Sequence, residues 1–166
     1  MAVHQLIEAL SQLDQAHANM IELAGEKQTA IMNNDVDGLI GILNQESRTL
    51  KRIEQLEDVR LATCYHFLKE KGVKSQLKLT ITELSRLVFD PDEKKLLTDM
   101  QRQLSDKLQH LKRLNDLNQK LIEQSLTFLE YSLDLLVGAP DEAATYQHPA
   151  DKPGSVRRPG IFDTRA

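Results

Sequence analysis

The sequence predicts an all-α protein. The expected architecture is an antiparallel helical hairpin plus a long C-terminal helix, together a three-helix coiled-coil-like bundle, with a short connector helix and an irregular tail. Three observations carry this prediction. Apolar residues recur at steps of three and four over most of the chain, which is the period of one helix face. Charged residues make up 28% of the 166 and aromatics only 4%, with no Trp, a balance that suits solvent-laced helices better than a thick globular core or a β-sandwich. Helix-starting and helix-stopping residues punctuate the periodic segments at the places a bundle needs them.

The first helix is expected from about Val3 to Met32. Its stripe is Val3, Leu6, Leu10, Leu13, His17, Met20, Ala24 and Ile31, close to a heptad. Asn33-Asn34-Asp35 is a turn sequence that ends it and offers an N-cap to the next helix. The second helix is expected from about Asp35 to Lys71, with a stripe of Val36, Leu39, Ile40, Leu43, Leu50, Ile53, Leu61, Cys64, Phe67 and Leu68. Gly72 stands where a left-handed C-terminal residue is wanted, after Lys69 and Lys71. A link this short forces the two helices into an antiparallel hairpin. In that hairpin Gly25 lies near the level of Gly41. Close approach of the two arms near the tip is one explanation; tolerance near a helix end is the other for Gly38 and Gly41.

Within the connector Val73–Asp90, Thr80-Ile81-Thr82-Glu83 has capping-box spacing and predicts a short helix from Ile81 to Val88. Its Ile81, Leu84, Leu87 and Val88 are expected to close one end of the bundle. Asp90-Pro91-Asp92-Glu93 then supplies an N-cap, a proline at the first helical position and a glutamate at the third. The long helix runs from there to about Val137, on the order of 70 Å. Leu97, Met100, Leu104, Leu108, Leu111, Leu114, Leu121 and Ile122 form one face, interrupted by Asn118 and Ser125. Asn118 reads equally as a register-fixing hydrogen bond inside a helical interface and as a boundary residue facing water.

Beyond Ser125 the stripe widens. Leu126, Phe128, Leu129, Tyr131, Leu133, Leu135, Leu136 and Val137 point in almost every direction. A helix that is apolar all round must be covered on all sides, and a chain of this length has little left to cover it. This end is therefore expected to be a surface for a partner. Four of the five prolines and three of the seven glycines lie at or after Gly138, so residues 138–166 read as a flexible tail and residues 1–137 as the bundle. Ile161 and Phe162 are the clustered large apolar residues of that tail and could plug the apolar patch when it is empty.

The rest of the chain is poor in chemistry. A net charge of −4 and pI near 5.7 do not suit a nucleic-acid partner. The basic cluster Lys69–Lys78 reads as a solvated helix end, and the other basic cluster is the tail around Lys152, Arg157 and Arg158. One cysteine, Cys64, allows no internal disulfide and reads as a small apolar residue on a helix face. Met1–Gln5 has no basic start, no secretory core follows, and no uncharged apolar run approaches the ~18 residues of a membrane span. A cytoplasmic location without membrane insertion is the expectation. His4, His17, His66, His110 and His148 lack metal-ligand spacing, and HExxH, P-loop and GxGxxG strings are absent. His17 on its apolar stripe reads as a satisfied boundary histidine. No enzyme activity, metal or cofactor is expected.

The hairpin with its acidic, Asn-rich turn, the segment from Leu114-Asn115-Asp116-Leu117-Asn118-Gln119 through Ser125-Leu126, and a tyrosine-bearing Pro/Gly-rich tail ending in Phe162-Asp163 together resemble the FlgN-type flagellar export chaperones over nearly the whole chain. That resemblance implies a non-catalytic cytoplasmic chaperone. It would hold flagellar hook-associated (hook–filament junction) proteins before their passage through the type III export apparatus. In the family the C-terminal part binds clients, which maps onto Leu126, Phe128, Leu129, Tyr131, Leu133, Leu135 and Leu136. A family tyrosine implicated in docking to the export gate maps onto Tyr146, although Gln147 stands where the family usually has glycine. The alternative reading is a structural coiled-coil homodimer that buries the same patch against itself.

Overall fold

In the computed structural model, which describes residues 2–74 and 79–138, the described residues form four helices. They are α1 (Ala2–Met32), α2 (Val36–Glu70), α3 (Ile81–Arg86) and α4 (Pro91–Val137). The tail from residue 139, with Tyr146 and the Ile161-Phe162 pair, lies outside the described residues. The chain divides into two compact units, the first Met1–Phe128 and the second beginning at Leu129.

Local chemistry fixes the helix ends. Asn34 takes the left-handed conformation at φ 52°, and the Asp35 N–H donates to the Ala30 carbonyl at 2.9 Å. The Asp35 carboxylate then accepts from the Gly38 N–H at 2.9 Å and caps α2. At the other end Gly72 is left-handed at φ 74°. There the Val73 N–H reaches the Leu68 carbonyl and the Gly72 N–H that of Lys69, the paired bonds of a Schellman stop. The capping box of α3 is complete, with Glu83 N–H on Thr80 Oγ1 at 3.3 Å and Thr80 N–H on the Glu83 carboxylate at 2.7 Å. Donation from the Thr80 N–H, and then from its hydroxyl, holds the Glu83 carboxyl below its usual range. Asp90 Oδ1 accepts from the Asp92 and Glu93 N–H groups at the start of α4.

The core of the first unit is deepest where the ends of α1 and α2 meet α3. There Leu6 and Leu10 of α1, Phe67 and Leu68 of α2, Leu84 of α3, Val88 of the link after it and Leu97 of α4 form one buried cluster. Farther toward the hairpin tip the core thins to Leu13, Ala16, Ile53 and Leu56, and then to Leu23, Ala30 and Ile42. Past Leu104, the only α4 side chain that is buried is Asn118. Lys107 joins α4 to Asp14 of α1 by an ion pair.

Two sequence expectations are corrected. On α2, Val36, Ile40, Leu43 and Leu50 are exposed rather than core, while Ile42 and Leu56 are buried. The row that faces α1 runs through Ile42, Glu46, Thr49, Ile53, Leu56, Arg60, Cys64 and Phe67. Its polar members hide it from an apolar count. Glu46 accepts from Lys27 at 3.0 Å, Thr49 bonds back to the Gln45 carbonyl at 3.0 Å, and Arg60 pairs with Glu57 at 2.7 Å. Leu108, expected on the α4 core face, is likewise exposed.

The close approach expected at Gly25 and Gly41 is also absent, because a Cβ added at either meets no heavy atom within 4 Å. Gly38 is different, since a Cβ there would sit 2.2 Å from Asp35 Oδ2 and drive the cap away. Gly41→Ala is therefore expected to stabilise the protein by about 0.5–1 kcal/mol, as the helix-propensity difference dictates, whereas Gly38→Ala gains nothing or loses stability. Chemical denaturation of both variants checks this, and a stabilising Gly38→Ala contradicts the cap.

Candidate functional site

The candidate surface is the last three turns of α4. The helix continues there because no Gly or Pro interrupts it before Gly138, which is left-handed at φ 78° and whose N–H donates to the Asp134 carbonyl at 3.0 Å. Helical spacing sorts the large residues onto two opposed faces. Leu126, Leu129, Leu133 and Leu136 share one face, and Phe128, Tyr131 and Leu135 share the other. All seven are exposed, from 55% at Leu126 to 85% at Leu136. Isolated exposed leucines are ordinary on a protein surface; a contiguous run of this kind is what makes the segment the candidate. From Leu126 to Val137 the charged residues are Glu130 and Asp134, so the polar edge of the segment is acidic.

The other sequence-singled residues sit apart from this segment. His17 is buried and its Nδ1–H donates to the Leu13 carbonyl at 2.8 Å, which satisfies it within its own helix. Cys64 is buried; desolvation pushes its thiol up, against the opposing pull of the Arg60 guanidinium at 3.9 Å, so it is not an activated nucleophile. Among the described residues no three His, Cys, Asp or Glu side chains converge on a metal-sized site. No described helix is long and apolar enough to cross a membrane.

Asn118 resolves in favour of the interior hydrogen bond. It is 2% exposed and its Nδ2 donates to the Ala24 carbonyl of α1 at 2.8 Å. Asn118 also lines a feature the sequence reading missed, a groove of about 520 Å³ walled by α1, α2 and α4. Leu43, Leu50 and Ile122 supply its apolar wall, and Lys27, Glu46 and Glu123 its charges. The signal that could have exposed it is the second apolar row of α2, which competes with the row that packs on α1.

Comparison with known proteins adds three findings. The family model described as FlgN protein matches residues 1–154. A protein of Bacillus subtilis strain 168, described as "Uncharacterized protein YvyG", is 30% identical over 137 residues, 82% of this chain and 82% of that protein. No solved structure gives a significant match.

Proposed function

Because this chain belongs to the FlgN family, we propose that it is a non-catalytic flagellar export chaperone. Its clients are hook–filament junction proteins, which it holds and delivers to the type III export apparatus from the cytoplasm. The single observation that supports this most strongly is the apolar end of α4, where seven large side chains are each more than half exposed. A client segment that becomes buried only in the assembled filament needs temporary apolar cover, and an amphipathic client helix packing on this end receives it. Burying each Leu-sized side chain contributes roughly 1.5–3 kcal/mol before ordering costs. A few anchors thus suffice for capture, while ordering of a disordered client keeps affinity low enough for release. Tyr146 is the candidate contact to the export-gate component, and residues 138–166 are proposed as the tail that carries it.

The test is a pull-down of flagellar junction proteins by the full chain, beside a Leu129→Asp/Leu136→Asp variant. Both positions are exposed, so the variant should stay as helical as the parent. Capture by the parent and its loss, by at least about a hundredfold in affinity, in the variant is the expected outcome. Equal capture by both sinks the assignment of the surface, and capture by neither sinks the chaperone reading.

A further inference from the structure

We propose that the groove between α1, α2 and α4 is a second docking surface, and that it receives an amphipathic helix of a partner protein with basic residues beside its apolar seam. It lies wholly within the first unit and involves none of the residues assigned to the α4 end.

The seam is unusually regular. Val36, Ile40, Leu43, Ser47 and Leu50 of α2 follow one another at steps of four, three, four and three, the spacing that packs a neighbouring helix. The four apolar members are all exposed, from 43% at Leu43 to 65% at Val36. Leu43 and Leu50 continue into the groove, where Ile122 of α4 faces them. From Val36 to Leu50 the seam is about 21 Å long, which matches a helix of about four turns.

Two further observations select the occupant. Asn118 lines the groove, and while its Nδ2 is engaged by Ala24, its Oδ1 is buried and has no hydrogen-bond partner. An unsatisfied buried acceptor is costly, so the seam calls for a partner side chain that brings a donor to this level. Toward the hairpin tip the charges are one-sided, while Arg48, Lys51 and Arg52 flank the Leu50 end. Lys27 is neutralised by Glu46 at 3.0 Å, which leaves Glu123 as the remaining charge of the groove. Asp35 and Asp37 extend the negative edge toward the hairpin tip, and α2 carries no Lys or Arg before Arg48. A second copy of this chain laid parallel on the seam would bring its own Asp37 against the same edge, a like-charge pairing that disfavours it. Lysines or arginines flanking a Leu/Ile seam complement it.

The probe is a synthetic peptide of about four helical turns, with Leu at heptad a and d, one Asn at the central a position and Lys at e and g. A Glu-flanked counterpart is the control. Binding to the full chain is followed by backbone NMR shifts and calorimetry, with Leu43→Glu/Leu50→Glu and Leu129→Asp/Leu136→Asp variants alongside. The expected result is binding of the Lys-flanked peptide with shifts centred on Leu43, Leu50 and Ile122. Affinity should fall about tenfold or more in the Leu43→Glu/Leu50→Glu variant, and similarly for the Glu-flanked peptide. The α4-end variant should bind like the parent. Because Leu43 and Leu50 are exposed, their variant should keep its helicity, which circular dichroism verifies. The proposal is overturned if neither peptide binds, if both bind equally, or if the shifts fall on residues 126–137. It is also overturned if the free protein is a dimer that the Leu43→Glu/Leu50→Glu variant dissociates. None of these outcomes depends on capture of a junction protein, so failure here and failure of the chaperone reading are separable.

Discussion

Phe67→Ala is expected to lower the unfolding free energy by about 3–5 kcal/mol. Phe67 is the largest fully buried side chain, and it sits in the cluster where α1, α2, α3 and α4 all contribute. Truncation removes the transfer free energy of the ring and leaves a cavity whose walls belong to helices fixed elsewhere, so little collapse can fill it. Lys71 adds a smaller loss, since its ammonium lies 5.7 Å from the Phe67 ring centre. A domain of this size has a total stability of only about 5–15 kcal/mol, so the variant should be marginal at 25 °C. Ile42→Ala at the thin end of the core is the comparison, with an expected cost nearer 2 kcal/mol. Urea unfolding followed by circular dichroism measures both. A Phe67→Ala loss under about 1 kcal/mol, or a larger loss at Ile42, would place the organising core somewhere other than the α3 end.

That asymmetry between the two ends of the bundle explains what the sequence disclosed and what it withheld. Helix ends were legible because they are local. The Asp35 cap, the Gly72 stop, the Thr80–Glu83 box and the Asp90–Pro91 start each need only neighbouring residues, and each forms. The α1 stripe was legible too, as Leu6, Leu10, Leu13 and Ala24 are buried. The facing row of α2 was legible from Ile53 through Cys64 and Phe67 but not before Ile53, where it is a tertiary choice between two apolar rows. The winning row contains Glu46, which pairs with Lys27 of α1, and Thr49 and Arg60, which find partners within α2, and no count of apolar residues selects it. The groove follows from the same choice. Once Ile42 and Ile53 face α1, Leu43 and Leu50 turn outward and face Ile122 across a gap. The α4 end was read from composition alone, because a helix apolar on both faces announces exposure whatever the register. Leu129 and Leu136 are exposed; what binds there is a matter of the pull-down.

Asn118→Asp is expected to cost about 3–5 kcal/mol at neutral pH and little at acid pH. The substitution is nearly isosteric, so packing changes little and the effect is electrostatic. At neutral pH the carboxylate would set an acceptor where Asn118 Nδ2 now donates to the Ala24 carbonyl at 2.8 Å, in a site only 2% exposed. The adjacent oxygen position already lacks a partner, so nothing there offsets the charge. Lys27, the cation lining the groove, is held by Glu46 at 3.0 Å. Burial therefore raises the folded-state pKa of the new carboxyl above its unfolded value of about 3.9. The sign follows. Below about pH 3.9 both states are protonated, the neutral O–H donates to the Ala24 carbonyl, and the variant approaches the parent. As pH rises the unfolded chain releases its proton first, so stability relative to the parent falls until the folded-state pKa is passed and then stays low. Urea midpoints of parent and variant at several pH values between about 4 and 8 measure the divergence, each read against the parent at the same pH. A pH-independent difference would mean that the loss is one of packing. No difference at all would mean that Asn118 meets water, and the hydrogen bond that ties α4 to α1 would lose its place in the fold.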